Sequence, residues 1–479
     1  MKRFFNIFLA ALTLLATASC NEWLDVSPEN DITLEEYWKS KEDIRNALNG
    51  SYEQLASQAN TLFLWGEIRS GSLAPGAKDD DERTKDYSKL MRLEVLPKNS
   101  VNAWGGIYKA INYANTVLKY APQVRTSDRS LTTKELRAFE AEAYFIRSLS
   151  YFYLLRTFRD VPLYLDPTDT DDVDLFLPKS EQRVVLDQII KDLEWAERYV
   201  NQGFEVIEFN KGWATKAAVQ ALLADVYLWD EQYDKALSMC DKVINRSSHT
   251  LIDGDRMDII FEEGNTHEGI FELQFHKDGG QRNDFKNLFG RKDLLPRVFG
   301  SPVIFDQYED GDPRRILALG ASEEGLLVGK YALGSNYEDE GANWVVYRYA
   351  DILLMKAEAL VEKGDFFGAQ QELNKVRERA GLGPKIFNGN LREAEDVLLA
   401  ERSMEFAYEG KRWFDILRFS KRRDYSRQDL LISVLTANVD PTEQARWISL
   451  LSDPMSHYLP IHYDEVRSNN LLEQNPYYE

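Results

Sequence analysis

The sequence predicts an all-α fold in which paired helices form a scaffold and long loops carry the functional surface. Three observations lead to this prediction: amphipathic helical periodicity dominates the chain, the helices follow one another in pairs, and the stretches between the pairs are long and differ in composition. A chain of 479 residues with 44% hydrophobic residues can bury a substantial core, and its length alone would allow more than one domain.

The first residues of the chain predict a signal peptide rather than a part of the fold. Lys2 and Arg3 give a positive start, residues 4–15 are almost uninterruptedly apolar, and residues 16–19 are small. The apolar stretch is too short to span a bilayer. Cys20 follows directly, and this arrangement resembles the lipobox of bacterial lipoproteins, in which the cysteine is acylated and anchors the mature protein. An ordinary secretory signal with an unmodified cysteine is the alternative.

Two helix pairs repeat each other at an offset of 133 residues. Residues 213–229 and 233–244 predict the first pair, and residues 347–361 and 366–380 predict the second. Matching positions carry similar residues: Ala224, Tyr233 and Ala236 correspond to Ala357, Phe366 and Ala369. Small residues at such positions let paired helices approach closely, as in the tetratricopeptide hairpin, although the offset is not the tandem period of about 34 residues.

Further helices extend this scaffold. Helical patterns at residues 101–120, 135–158 and 181–200 would complete about four tetratricopeptide-like pairs, separated by insertions.

Long stretches between the helices are where we expect function. Residues 68–89 are rich in Gly, Asp and Lys, residues 279–315 mix Gly, Phe, Arg and Asp, and residues 320–343 are polar and contain several glycines. Loops of this length are usually functional or disordered, and the aromatic and arginine content favours function. We define the two inserts as residues 66–100 and 276–343.

Four blocks of sequence carry a more specific pattern. They are residues 136–163, ending in FRDVPL; residues 347–360, YRYADILLMKAEAL; residues 401–418, ending in EGKRWFDILR; and residues 459–478, with LPI near the start and QNPY near the end. The order and the content of these blocks resemble the SusD/RagB family of outer-membrane nutrient-binding lipoproteins, and the Cys-x-x-x-Leu-Asp motif that starts at Cys20 also fits. The resemblance spans the mature chain, which implies one SusD-like domain over residues 20–479 after a signal peptide at 1–19.

The resemblance also implies a fold and a function. The expected fold has four tetratricopeptide-like units and an irregular ligand-binding half. The expected protein is anchored by lipid at the cell surface of the outer membrane, binds extracellular oligosaccharide or polysaccharide, and delivers it to a SusC-type TonB-dependent transporter. Two alternatives stay open: capture of an oligopeptide, as on the RagB side of the family, and a structural adaptor that binds no small ligand.

Charged residues of the signature blocks are expected to form ion pairs rather than ligand contacts. Arg348 and Asp351 lie three residues apart on one helix. The later acids and bases are spaced by one, three or four residues: Glu401, Arg402, Glu405, Arg412, Asp415 and Arg418. Trp413 and Phe414 are expected to pack between helices, and Cys240 is expected to be a small core residue.

Ligand contacts are expected from aromatic and polar residues in and beside the inserts. Sugar rings present apolar C–H faces to aromatic planes, and their hydroxyl groups bond to Asp, Asn, Gln or Arg at the edge. The candidates are Trp65, Arg69, Asp80, Arg83, Tyr87, Phe285, Phe289, Arg291 and Trp344. Trp65 and Trp344 are predicted to be stacking platforms, and core packing or a solvated loop charge is the alternative for each candidate.

The sequence predicts neither an enzyme nor a cofactor. It contains no His-Glu-x-x-His motif and no Gly-x-Ser-x-Gly motif, and its five histidines are scattered. A net charge of −21 argues against nucleic acid as a partner. A structural calcium ion is left open, because residues 306–311 and 166–174 offer clustered oxygens, although neither segment has the acidic twelfth position of an EF-hand loop.

The lipid anchor can be tested by the Cys20→Ala substitution. Without the thiol no acyl chain can be attached, so the variant is expected in the soluble fraction after cell fractionation, whereas the wild type stays with the membranes. A variant that stays fully membrane-associated would contradict the predicted anchor.

Overall fold

The computed structural model describes residues 34–78, 80–169, 176–246, 248–276, 280–290, 294–332 and 340–479. The predicted lipidation site Cys20, the predicted boundary between signal peptide and domain, and the candidate residue Arg291 lie outside the described residues. Part of one suggested calcium segment, residues 170–174, also lies outside them.

Helices dominate the described part of the chain. The N-terminal part contains α1 (Leu34–Tyr37), α2 (Lys41–Ala56), α3 (Ala59–Glu67), α4 (Glu82–Met91), α5 (Gly105–Ser127), α6 (Thr133–Phe158), α7 (Gln182–Tyr199), α8 (Ile207–Gly212), α9 (Lys216–Trp229) and α10 (Tyr233–Ile244). The remainder contains α11 (Ile259–Glu262), α12 (Phe285–Phe289), α13 (Pro302–Phe305), α14 (Arg314–Ala318), α15 (Tyr349–Glu362), α16 (Phe366–Arg379), α17 (Leu391–Glu405), α18 (Arg412–Tyr425), α19 (Gln428–Thr436), α20 (Pro441–Leu451) and α21 (Tyr463–Ser468). Short 3₁₀ turns lie at Ser100–Asn102, Gly254–Arg256, Pro454–His457 and Pro476–Tyr478.

Six short strands form three antiparallel two-stranded sheets in the described residues. β1 (Leu73–Pro75) pairs with β3 (Val298–Gly300), β2 (Gly269–Leu273) pairs with β6 (Trp344–Arg348), and β4 (Leu319–Ala321) pairs with β5 (Leu326–Val328). The β1–β3 pair joins the first insert to the second, with Leu73 opposite Gly300. The β1–β3 sheet therefore connects the inserts, while the helices form the scaffold.

The predicted all-α fold with paired helices is confirmed. Helix pairs α9–α10 and α15–α16 occupy the two predicted repeats, and α10 packs against α15. The similarity extends to the turns between the helices, because Glu231 and Gly364, again 133 residues apart, both adopt the left-handed backbone region, at φ 57° and 79°. The alanines at the matching positions are wholly buried: Ala224, Ala236, Ala357 and Ala369.

Several helix boundaries differ from the prediction. The helix expected from residue 213 begins at Lys216, after its capping residue Thr215. The helix expected from residue 347 begins at Tyr349, because Tyr347 and Arg348 complete strand β6. The helix expected from residue 101 begins at Gly105, after the 3₁₀ turn Ser100–Asn102, and continues to Ser127. Strand pairing and turns of this kind depend on distant partners, and helical periodicity does not report them.

A network of buried ion pairs joins the repeat scaffold to the later helices. Arg348 is wholly buried, and its Nη1 lies 2.7 Å from Glu268 and 2.6 Å from Glu405. Its Nη2 lies 2.8 Å from Glu409. Arg314 also reaches Glu405, at 3.0 Å. Burial alone would raise the pKa of Glu405, but the surrounding guanidinium groups lower it well below its usual value.

The charged residues of the signature blocks form ion pairs, as predicted. Arg402 bonds to Asp351 and Asp415 at 2.9 Å each, and Arg418 bonds to Asp415 at 2.8 Å. Arg412 is the exception: its Nη1 donates to the carbonyl oxygen of Leu399 at 3.0 Å, and no carboxylate of the described residues lies within 4.0 Å of it. Trp413, Phe414 and Cys240 are buried, which confirms their predicted place in the core.

Neither a membrane-spanning helix nor a metal-binding cluster occurs among the described residues. Within the described part of the chain, no helix combines the length and the apolar character needed to cross a membrane. Among the same residues, no three His, Cys, Asp or Glu side chains lie close enough together to hold a metal ion.

The ion-pair network predicts a large effect of the Arg348→Met substitution. The variant removes one close cation from each of three buried carboxylates, so the free energy of unfolding, measured by urea denaturation, is expected to fall by about 3–5 kcal/mol. The lowered pKa of Glu405 means that this loss is full at neutral pH and shrinks in strong acid, where the carboxylates become protonated.

The matched control is Arg392→Met, because Arg392 and its partner Asp429 are both mostly exposed. The free energy of unfolding of this variant is expected to fall by less than about 1 kcal/mol. Equal losses in the two variants would contradict the structural importance of the network.

Candidate functional site

The two inserts meet at a cavity of about 290 Å³, which we call the polar cleft. Its wall includes Asn60 of α3, Arg83 and Tyr87 of α4, Phe275 after β2, and Arg282, Asn283 and Asp284 before α12. Residues more than 200 positions apart in the chain therefore face the same small space.

Helix α4 is held in place by Asp81, the residue that precedes it. Asp81 caps the helix by accepting a hydrogen bond from the backbone N–H of Thr84 at 3.0 Å, and it also pairs with Arg297 at 3.3 Å. This pairing ties the start of α4 to the segment before β3. Arg83 and Tyr87 lie four residues apart, so they share one helix face, and both line the cleft.

The opposite wall is fixed by hydrogen bonds of a polar tripeptide at residues 282–284. The Nδ2 of Asn283 donates to the carbonyl oxygen of Ala342 at 2.7 Å, and its Oδ1 accepts from the backbone N–H of Phe285 at 3.1 Å. The Nδ2 of Asn60 donates to Asp284 at 3.3 Å, which connects this wall to α3. The cleft is thus a built feature whose walls are bonded to each other.

Several polar groups of the cleft have unused hydrogen-bonding capacity. The Oδ1 of Asn60 is buried without a partner, and within the described residues neither the Tyr87 hydroxyl nor the Arg83 guanidinium makes a hydrogen bond. Burial raises the pKa of Tyr87 to about 12, so its hydroxyl stays neutral and can donate at physiological pH. The cleft therefore offers a cation, a hydroxyl group and an amide oxygen to a polar ligand.

The aromatic rings of the polar cleft are almost covered. Tyr87 is 7% exposed and Phe275 is 4% exposed, so neither ring presents an open face. The cleft can bind a ligand by hydrogen bonds, and a broad aromatic surface is missing from its described walls.

Comparison with known proteins shows which protein family matches this chain. The model of the SusD family matches residues 318–478, and a model described as starch-binding and associating with the outer membrane matches residues 22–228. Each of the four signature blocks lies within one of these two matches. The chain belongs to the SusD/RagB family. Proteins of this family are non-catalytic, in agreement with the prediction that the chain is not an enzyme.

Relatives of this SusD/RagB chain match it over most of its length. SusD-like protein P38 of Formosa agariphila is 27% identical, over 88% of this chain and 93% of the relative. Surface glycan-binding protein A from Bacteroides uniformis has a TM-score of 0.75 at 22% identity, covering 91% of this chain and 100% of that one. A laminarin-binding SusD-like protein has a TM-score of 0.72 at 21% identity, covering 91% and 99%. These two solved structures share the fold.

Trp65 and Trp344 do not lie where a ligand could stack on them. Both side chains of this SusD/RagB protein are wholly buried, which corrects their predicted role as stacking platforms. The Nε1 of Trp65 donates to the carbonyl oxygen of Val101 at 2.7 Å, and its ring packs edge-on against Phe158 at 5.3 Å. Trp344 lies on β6, and its ring centroid is 6.4 Å from that of Tyr153. Both rings therefore support the core under the inserts.

Arg69 and the two phenylalanines are also interior residues rather than cleft residues. Arg69 is 2% exposed, its guanidinium lies 4.2 Å from the ring centroid of Trp413, and burial lowers its pKa to about 10. Phe285 and Phe289 are buried in α12, with ring centroids 5.6 Å apart. The expectation that these three side chains contact ligand is therefore corrected, because buried side chains present no surface to a ligand.

The remaining candidates differ in their positions. Arg83 and Tyr87 line the polar cleft, whereas Asp80 is exposed in the turn that precedes α4. The sequence did not lead us to Asn60, which lies on a helix, or to the polar tripeptide at 282–284, because the candidates chosen in the second insert were two phenylalanines and Arg291. A run of Arg, Asn and Asp inside a functional insert was the available signal.

The interior position of Trp65 predicts a stability effect for the Trp65→Phe substitution. The variant keeps a buried ring but leaves the carbonyl oxygen of Val101 without its partner, so the free energy of unfolding is expected to fall by about 1–3 kcal/mol in urea denaturation. Trp447→Phe is the matched control, because the half-buried Trp447 makes no hydrogen bond to a described residue. Unchanged stability together with lost ligand binding would show that Trp65 contacts ligand after all.

Proposed function

We propose that this SusD/RagB protein binds extracellular glycan in the polar cleft and passes it, chemically unchanged, to a SusC-type TonB-dependent transporter. The observation that carries this proposal is a cavity lined by both inserts, on which unpartnered polar groups of α3 and α4 converge. Sugar hydroxyl groups donate and accept hydrogen bonds, so they complement the Arg83 guanidinium, the Tyr87 hydroxyl and the Asn60 amide oxygen.

The size of the polar cleft limits what it can hold. Ligand pockets usually begin at about 300 Å³, and the cleft lies near this lower limit. We therefore infer that it takes a short part of a glycan chain while the rest stays outside. A site of this kind leaves much of the ligand solvated, so the affinity is expected to be weak to moderate.

The relatives support a glycan over a peptide. One solved structure of the same fold is named a laminarin-binding SusD-like protein, and another is named a surface glycan-binding protein. The family model that matches residues 22–228 is described as starch-binding.

We further propose that the protein works at the cell surface, anchored by lipid at Cys20 and paired with the transporter barrel. The leader sequence and the description of the same family model, which mentions association with the outer membrane, support this location. Affinity purification from detergent-solubilised membranes is expected to recover a large β-barrel protein with this chain. Repeated purification without such a barrel would contradict the partnership.

Calorimetric titration tests the proposed site. The lipidated protein in detergent is titrated with laminari-, xylo- and malto-oligosaccharides and with a mixed peptide digest, and saturable heat is expected with one glycan series. Arg83→Ala removes a charged donor and is expected to weaken binding about ten- to a hundredfold, whereas Tyr87→Phe removes a neutral donor and is expected to weaken it about fivefold.

Lys85→Ala is the matched control, because Lys85 lies on the same helix, is exposed, and pairs with Glu82 rather than facing the cleft. Its affinity is expected to equal that of the wild type. Heat with peptides alone would indicate that the protein captures peptides. No heat with any ligand would favour the structural adaptor.

A further inference from the structure

We propose, on the basis of the proposed function, that a second sugar subsite adjoins the polar cleft, so that the ligand is a glycan chain long enough to occupy both. The second subsite is a cavity of about 210 Å³, which we call the aromatic cleft. Phe209 and Trp213 form its aromatic side.

A rigid stack of side chains supports an exposed ring in the aromatic cleft. Phe209 of α8 lies parallel to Trp213, with ring centroids 4.1 Å apart and an interplanar angle of 2°. The guanidinium of Arg45 lies 3.9 Å from the ring centroid of Trp213, and the ring of Phe204 meets Trp213 edge-on at 5.1 Å. Phe209 ends this stack and is 42% exposed. An aromatic face that is fixed from behind and open in front is suited to the C–H face of a sugar ring.

Polar side chains with free hydrogen-bonding capacity surround the stack. Asn49, Glu53 and His276 are exposed, and Glu208 and Gln281 are half-buried. In the described part of the protein, none of these five side chains is hydrogen-bonded. Backbone hydrogen bonds of 2.8 Å and 3.1 Å between His276 and Gln281 hold two of them side by side. The combination of one aromatic face and several free donors and acceptors is the arrangement expected for a sugar site.

The two clefts are neighbours because the same two segments of the chain line both. Ala56, the last residue of α2, lines both cavities. From there α2 leads back to Asn49 in the aromatic cleft, about 10 Å away, and α3 leads on to Asn60 in the polar cleft.

The second shared segment alternates between the clefts. Gln274 and His276 line the aromatic cleft, whereas Phe275 between them lines the polar cleft. Gln281 then faces the aromatic cleft and Arg282 the polar cleft. A single ligand that crosses Ala56 would touch both.

The chemistry of the surroundings favours a glycan as the occupant of the aromatic cleft. Protein interfaces bury an apolar centre from which charged residues are depleted, whereas Phe209 here shares its cavity with Glu53 and Glu208. The polar cleft supplies hydrogen bonds but no open ring, and the aromatic cleft supplies the open ring. Together the two clefts contain the features that one oligosaccharide chain requires.

The test uses the lipidated protein in detergent and defined laminari-, xylo- and malto-oligosaccharides of two to eight residues. The longer members of the series that binds are expected to bind about tenfold more tightly than its disaccharide in calorimetric titration. Phe209→Ala is expected to abolish this gain and to leave the affinity of the disaccharide unchanged. Glu53→Ala, a change at an exposed helical position, is expected to reduce the gain for the longer members only.

Phe367→Ala is the matched control, because Phe367 is 70% exposed on α16 and lies in neither cleft. Its affinities are expected to equal those of the wild type at every length. Affinity that is independent of chain length, or a Phe209→Ala variant that binds the long members as tightly as the wild type does, would overturn the second subsite while leaving the polar cleft intact.

Two further outcomes would also overturn the second subsite. A Phe209→Ala variant that loses its β-barrel partner in affinity purification, with unchanged glycan binding, would make the exposed ring a protein contact. Failure of every glycan series to bind would overturn the second subsite together with the proposed function.

Discussion

A buried carboxylate group, that of Glu405, holds together parts of the chain that are far apart in sequence. It accepts hydrogen bonds from Arg348 at the end of β6, Arg314 of α14 and Arg379 of α16. A carboxylate in the interior loses its hydration, and only several close cations with good geometry offset that cost. The network therefore specifies one relative arrangement of the last repeat, the second insert and α17.

This arrangement reaches the two clefts through strand β2. Arg348 binds Glu268, the residue that precedes β2, and the β2–β6 pairing then directs the chain into residues 274–276. Those residues form the wall that the polar cleft and the aromatic cleft share. The interior charges thus position a surface that they do not themselves line, and a strictly apolar interior would give β2 fewer constraints on its direction.

Aromatic residues divide between the interior and the surface for a related reason. Among the described residues, four tryptophans are wholly buried and fill volume in the core: Trp65, Trp229, Trp344 and Trp413. Phe209, an exposed ring beside the second insert, lies on a short helix with Trp213 and Arg45 stacked behind it. In the aromatic cleft the ligand would meet a ring that is held from behind by other side chains, which lowers the entropy lost on binding.

The sequence by itself determined the helix pairs, their 133-residue repeat, the ion-pairing character of the signature blocks and the family, because these depend on spacing within short segments. Only the tertiary structure decided which aromatic residues are exposed and which polar residues meet. Asn60 and Asp284, 224 residues apart, bond across the polar cleft, and the Nε1 of Trp65 finds its partner at Val101. Burial and convergence are properties of contacts between distant segments, and no local pattern encodes them.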